Sequence, residues 1–435
     1  MSRFMIEGGR ALSGTVKPSG NKNEALPALM SCLLTDEPIV LHRIPQIKDV
    51  LTTCHILEGI GVQVDWINED SVRLCAKQAH SYKPDPELCS HVRASILLLG
   101  GLLSRFGKIE LPLPGGDVIG ARRIDTHFEV VQALGGTLQF DHVITGQIEK
   151  IQGTDVYLDE PSVTATENAI LLAVLCEGKT TLYNAACEPH VNGLCQLLKS
   201  MGAKIEGIGS NQLKITGVPA LHGTEYTIGP DYLEIGSFLC LGAIAGGKVE
   251  IESVPLHDMR FILKTLSRIG INPTITVESA SDQEATGRLS IDGSNPIKMQ
   301  TDISRRIGTV YSGPWPAFSS DLMSVAIVAA TQAEGTLIFH EKMYEGRMFF
   351  TDKLMAMGAN IVLCDPHRVV VTGSCPLSSS RISSPDVRAG MALLMAALIA
   401  KGTSLIGNIY QIERGYYQVE KKLQALGAAI TRMPS

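Results

Sequence analysis

Lys22, Arg93 and Arg388 each stand at the start of a strongly apolar stretch of the chain. If those stretches are helices, the placement is electrostatically awkward. A helix N-terminus carries partial positive charge and unsatisfied N–H groups, so it attracts anions and disfavours a cation. Three cations in that position point either to salt bridges or to a polyanionic substrate. Acidic residues occupy equivalent starts: Asp231 and Glu234, Asp321, and Asp386 beside Arg388. An acid there can simply complement the helix dipole. Thr164-Ala-Thr-Glu167-Asn168 opens a further apolar stretch, and Asn23-Glu24 follows Lys22.

Other residues add to this set. In Leu113-Pro-Gly-Gly116-Asp117-Val-Ile-Gly120-Ala-Arg122-Arg123, glycines let a backbone approach a ligand closely. The arginine pair suits phosphate or carboxylate by bidentate bonding. The segment lacks the Gly-Lys-Ser/Thr of a nucleotide triphosphatase loop and the Gly-x-Gly-x-x-Gly of a dinucleotide fold. In Ser312-Gly-Pro-Trp315-Pro316-Ala-Phe318-Ser-Ser-Asp321 two prolines stiffen the chain ahead of a carboxylate, and a rigidly placed carboxylate suits a general base. Tyr344-Glu345-Gly-Arg347 and Gln411-Ile-Glu413-Arg414 each set an arginine close to a glutamate after a strand-like run, where a surface ion pair is the plainer reading.

The elements that must carry these residues repeat. A helix closed by a glycine and followed by a strand-like run recurs at Gly61, Gly135, Gly202, Gly270, Gly358 and Gly427, spaced 74, 67, 68, 88 and 69 residues apart. In step with it runs a helix apolar on all faces, which must be buried on all faces. Six α/β units of roughly 70 residues follow, three to a domain. Residues 22–229 are expected to form one domain. Residues 1–21 with 230–435 form the other, the N-terminal strand and turn completing it. The helix starts of each domain would face a shared cleft.

Composition narrows the function. The 435 residues are 45% hydrophobic and 19% charged, with 38 basic and 44 acidic residues giving a net charge of −6. That is globular, with no basic excess for nucleic acid. The longest apolar run, near Met391–Ala400, is well short of the ~18 residues that span a bilayer. No signal-like segment opens the chain, and the ten cysteines show no paired spacing, so reduced thiols and a cytoplasmic location are expected, with no metal site.

These motifs together resemble one family over nearly the whole chain. Ser19-Gly-Asn-Lys22-Asn23-Glu-Ala-Leu-Pro, Val92-Arg93-Ala-Ser, the 113–122 loop, Ser162-Val163-Thr164-Ala-Thr-Glu-Asn, Pro314-x-Pro-x-Phe318-x-x-Asp321, Asp386-Val-Arg388-Ala and Ile412-Glu-Arg414-Gly-Tyr are similar to the UDP-N-acetylglucosamine 1-carboxyvinyltransferases, relatives of the shikimate-pathway enolpyruvyl transferase. The resemblance implies a two-domain inside-out α/β barrel with the active site in the interdomain cleft and a mobile 112–122 loop. It implies transfer of the enolpyruvyl group of phosphoenolpyruvate to the 3-hydroxyl of UDP-N-acetylglucosamine, without a cofactor, in peptidoglycan synthesis.

By the same resemblance Lys22, Arg122 and Arg414 hold phosphoenolpyruvate. Asn23, Arg93 and Arg388 help place donor or sugar nucleotide, with Arg347 beside them. Arg122, Arg123, Ile124, Asp125 and Thr126 border the uracil. Ser162, Val163 and Thr164 meet the diphosphate. Asp321 takes the hydroxyl proton. Asp117 stands where many members carry a cysteine that acts in acid catalysis, so fosfomycin, which alkylates that thiol, is expected to fail here. Arg123 replaces a common Pro, Tyr232-Leu233 a more usual Arg-Ile, and Gly346 an Asn. Two other readings stay open: the same chemistry on another nucleotide or nucleotide sugar, and a non-catalytic paralogue that binds sugar nucleotide.

Overall fold

The structure is a computed structural model and describes residues 2–117, 119–279 and 285–434. The chain divides into two compact units. One comprises Met1–Ser19, Val118–Ala121 and Pro230–Ser435, the other Gly20–Asp117 and Arg122–Gly229.

The repeat is complete in residues 155–216. Strand Asp155–Tyr157 leads to the buried helix Val163–Ala173, then to strand Lys179–Tyr183. The outer helix Pro189–Ser200 and a hairpin of Lys204–Glu206 and Gln212–Thr216 follow. Strand 155–157 pairs in parallel with 179–183, and 212–216 pairs antiparallel with it. The outer helix buries His190, Val191, Leu194, Cys195, Leu197 and Leu198, a helical stripe facing inward. It turns into the hairpin through Gly202. All six repeat glycines have φ between 92° and 106°. Only glycine takes that conformation freely, which is why the repeat is visible in the sequence.

Each unit holds three such sheets. In the Gly20–Gly229 unit they centre on strands Ile39–His42, Val143–Gln147 and Lys179–Tyr183. In the other unit they centre on Lys248–Pro255, Gly335–His340 and Gly402–Gly407. The helices that pack inside are Lys22–Met30, Leu98–Phe106 and Val163–Ala173 in one unit. Tyr232–Ile244, Ser320–Gln332 and Val387–Ile399 pack together in the other. Their sequences explain the burial: every residue from Tyr232 to Ala243 and from Val387 to Leu398 is buried. Helices sit inside and sheets outside, the inside-out α/β arrangement expected.

Three departures from the simple repeat position the site. Strand Arg3–Gly8 pairs antiparallel with both Gly402–Gly407 and Ala429–Met433, so the sixth sheet takes a strand from the far end of the chain. Among the described residues the second repeat has no parallel edge strand; its sheet is the three strands Lys108–Pro112, Thr137–Phe140 and Val143–Gln147. Its buried helix is entered through a 3-10 turn, Arg93–Leu97, rather than directly. The connection from strand Lys108–Pro112 to outer helix Asp125–Ala133 is also the longest of its kind, and it is the glycine loop. Among the described residues no helix is long and apolar enough to cross a membrane.

Candidate active site

In the Pro230–Ser435 unit the starts of three buried helices meet around one arginine. Asp321, in the first turn of Ser320–Gln332, accepts from Arg347 Nη2 at 2.7 Å. It also accepts from Arg388 Nε at 3.0 Å and lies 2.9 Å from Arg388 Nη2. Arg388 is the second residue of helix Val387–Ile399. Its N-cap Asp386 accepts the N–H groups of Arg388 and Ala389 and lies 3.9 Å from Arg347 Nη1. Asp231 caps Tyr232–Ile244 by accepting from the N–H groups of Leu233 and Glu234, and its charge acts on Arg388.

Burial opposes the charge of Arg388, but the carboxylates of Asp321 and Asp231, with Tyr416, outweigh it and hold the guanidinium charged above its ordinary range. Burial pushes the Asp231 carboxyl up, against the pull of Arg388. The Arg388 guanidinium lies over the Tyr416 ring at 5.6 Å, while its Nη1 is buried without a hydrogen-bond partner among the described residues. A cation fixed this firmly with a spare donor is suited to an anionic ligand.

A second layer holds this centre. Arg347 Nε donates to Ser320 Oγ at 3.2 Å, and Ser320 Oγ donates to the fully buried Glu341 at 2.8 Å. Glu341 also accepts from the N–H of Met343 at 2.9 Å. Sequence reasoning missed Ser320 and Glu341; the available signal was an acid directly after the apolar strand Gly335–His340. It also left a surface pairing open for Arg347 and Arg414, and both are buried. Arg347 pairs with Asp321 rather than with Glu345, whose Oε1 accepts from the N–H of Ala121 at 3.1 Å. Arg414 donates to Gln411 Oε1 at 2.9 Å.

In the Gly20–Gly229 unit Lys22 opens its helix and pairs with Asp49 at 2.6 Å, both side chains largely buried. The N–H of Asn23 donates to the cap Asn21 at 2.9 Å. Arg93 Nη2 donates to the carbonyls of Arg122 at 2.8 Å and Arg123 at 3.4 Å, tying the 3-10 turn to the end of the glycine loop. Arg122 and Ile124 are half-buried, Asp125 is exposed, and Arg123 is exposed and paired with Asp125 at 3.0 Å. Thr126 is buried, its hydroxyl without a partner among the described residues. Ser162 caps Val163–Ala173, and Thr164 in the first turn meets His127. Val163, like Ser162, is half-buried. Asp117 lies half-buried in the loop, just after Gly115 and Gly116. A methyl group on Gly115 would fall 1.6 Å from the Ser90 carbonyl, so close backbone packing demands glycine there.

The EPSP synthase (3-phosphoshikimate 1-carboxyvinyltransferase) family model matches residues 6–423. The UDP-N-acetylglucosamine 1-carboxyvinyltransferase of Borrelia garinii is 48% identical with full coverage of both chains. Its namesake from Treponema denticola is 46% identical over 99% of each. Among solved structures, the enolpyruvyl transferase NikO of Streptomyces tendae superposes with a TM-score of 0.86 at 22% identity, covering 100% of this chain and 99% of that one. An EPSP synthase of Acinetobacter baumannii gives 0.76 at 18%, with full coverage of both.

Proposed function

The chain belongs to the enolpyruvyl transferase family, and from that premise we propose that it transfers the enolpyruvyl group of phosphoenolpyruvate to the 3-hydroxyl of UDP-N-acetylglucosamine. Phosphate is released. This is the first committed step of peptidoglycan synthesis, and so serves cell-wall biogenesis, cell shape and division. With phosphoenolpyruvate as donor, the reaction belongs in the cytoplasm.

The observation that carries the chemistry is Asp321, gripped by two buried guanidinium groups where helix starts converge. Such a carboxylate has a fixed direction, as a general base requires. Asp321 takes the proton of the sugar hydroxyl as its oxygen bonds to C2 of phosphoenolpyruvate. C3 gains a proton in the same addition, from Asp117 as the acid. Elimination then breaks the bond from C2 to the phosphate oxygen, C3 gives up a proton, and the double bond returns. Lys22, Arg122 and Arg414 hold phosphoenolpyruvate, Arg93, Arg347 and Arg388 add further cations, and Asn23 helps place donor or sugar nucleotide. Residues 122–126 border the uracil, and Ser162, Val163 and Thr164 meet the diphosphate.

The test is phosphate release from phosphoenolpyruvate with UDP-N-acetylglucosamine, against other UDP-sugars and uridine monophosphate. Release that depends on UDP-N-acetylglucosamine and is lost in Asp321→Ala is expected. Release only with another acceptor would move the protein out of cell-wall synthesis while keeping its chemistry.

A further inference from the structure

A chain of hydrogen bonds with a forced direction ends at Thr164. It begins on the backbone. The N–H of Gly100 donates to Asn168 Oδ1 at 2.8 Å, and Asn168 Nδ2 donates to the carbonyl of Ile96 at 3.0 Å. An N–H can only donate and a carbonyl only accept, so the amide of Asn168 has one possible orientation. Its second N–H then points at His127 Nδ1, 2.9 Å away. That nitrogen must be the acceptor, and a neutral ring therefore carries its proton on Nε2. Nε2 lies 3.1 Å from Thr164 Oγ1 and donates to it. His127 and Asn168 are each 1% exposed, so water does not enter the relay. Burial, with the charge of Arg93, pushes the imidazole down to about 3, which keeps the ring neutral.

Thr164 is half-buried, and no acceptor for its hydroxyl proton is found among the described residues. Having accepted from His127, it has a donor left to give.

We propose that His127 and Asn168 are positioning residues that lock the Thr164 hydroxyl as an outward-facing hydrogen-bond donor, so that the site selects an acceptor-only anionic oxygen. On the function proposed above, that oxygen belongs to the diphosphate of UDP-N-acetylglucosamine, and the inference rests on that reading. The polarity is set by backbone groups three side chains removed from the ligand, so the site need not reorganise when the phosphate arrives.

Two measurements test it. Nitrogen-15 NMR of the histidine-labelled full-length protein is expected to show His127 as a neutral ring with the proton on Nε2. An Nδ1–H tautomer or an imidazolium at neutral pH would overturn the relay, whatever the enzyme's substrate proves to be. Steady-state kinetics give the second. Asn168→Leu deletes the donor that fixes the tautomer, so the ring proton can move to Nδ1 and the Thr164 proton can turn back toward Nε2. KM for UDP-N-acetylglucosamine should rise about tenfold, the loss of roughly one hydrogen bond to a charged group. kcat and KM for phosphoenolpyruvate should hardly move.

Thr164→Val should give the same rise without touching the core, and Thr164→Ser should restore the wild-type KM. In the Thr164→Val background Asn168→Leu should add nothing further. Additive effects, or a Thr164→Val enzyme with unchanged KM, would show that the pair merely packs the core. Wild-type turnover of UDP-N-acetylglucosamine checks the function and the tautomer checks the relay, and each can fail alone.

Discussion

Asp321→Ala is the sharpest perturbation the structure offers. The substitution removes the acceptor facing Arg347 Nη2 at 2.7 Å and Arg388 Nε and Nη2 at 3.0 and 2.9 Å. The two arginine side chains are only 3% and 5% exposed, so water cannot take over. Stranding a buried charge costs ~3–5 kcal/mol. Two cations sharing one carboxylate push toward the upper end. The 26% exposure of Asp321, and the nearby carboxylates Asp386 and Asp231, pull toward the lower.

Taking about 3 kcal/mol and ~2–4 °C per kcal/mol for a unit of this size, the melting midpoint should fall by roughly 6–12 °C. Phosphate or sulfate, which can bridge two guanidinium groups, should recover part of that fall in the variant and much less in the wild type. kcat should drop by ~10²–10⁴, the usual range for a lost general base. Calorimetry with and without sulfate, alongside phosphate release, reads all three. An unchanged midpoint, or turnover within a few-fold of wild type, would refute the reasoning.

Glu341→Gln keeps the shape of a buried side chain but leaves one acceptor where two are needed. Its amide N must then face Ser320, reversing the hydrogen bond that turns Ser320 toward Arg347. A loss of ~1–3 kcal/mol in stability and a fall in kcat with KM little changed are expected, read by melting and kinetics. Fosfomycin should leave the wild type active while it inactivates Asp117→Cys, with mass spectrometry reporting the adduct; a wild-type adduct at position 117 would contradict this. Glu167 is buried, and burial, then the charge of Glu188, lifts its carboxyl well above the usual range. A raised carboxyl means that the folded state holds its proton longer than the unfolded chain, so stability falls as pH rises above the unfolded value. Glu167→Gln should therefore melt like the wild type near pH 4 and above it at pH 8; a gain confined to acid pH would reverse the sign.

Much of this architecture is legible in the sequence because it is set by local rules. A helix that ends on a glycine with φ near 100° announces itself six times, and a helix buried all round has no polar face to hide. The charged residues at the helix starts were equally visible, since each breaks an apolar run. Their partners were not. Lys22 meets Asp49 and Arg347 meets Asp321 through tertiary packing that no local pattern encodes. His127 and Glu341 were missed for a related reason: each stands among other polar residues, in Asp125-Thr-His-Phe-Glu129 and His340-Glu-Lys342, and nothing local marks the one that turns inward. The missing edge strand of the second repeat was also out of reach, because strand pairing is decided by neighbours distant in the chain.

Strand Arg3–Gly8 belongs between Gly402–Gly407 and Ala429–Met433, so it waits for partners that lie far downstream in the chain. At ~5–20 residues per second, roughly 20–80 s separate their synthesis. Through that interval a strand with Phe4 and Ile6 destined for full burial has both edges open, a hazard for pairing between nascent chains. Nearly all of the other unit lies between Gly20 and Gly229 and can fold meanwhile. Arrested chains ending near residue 250 should thus resist protease over 20–229 while residues 1–19 are cut. The sixth sheet is completed only once residues 402–433 are made, and that is what leaves the strand waiting.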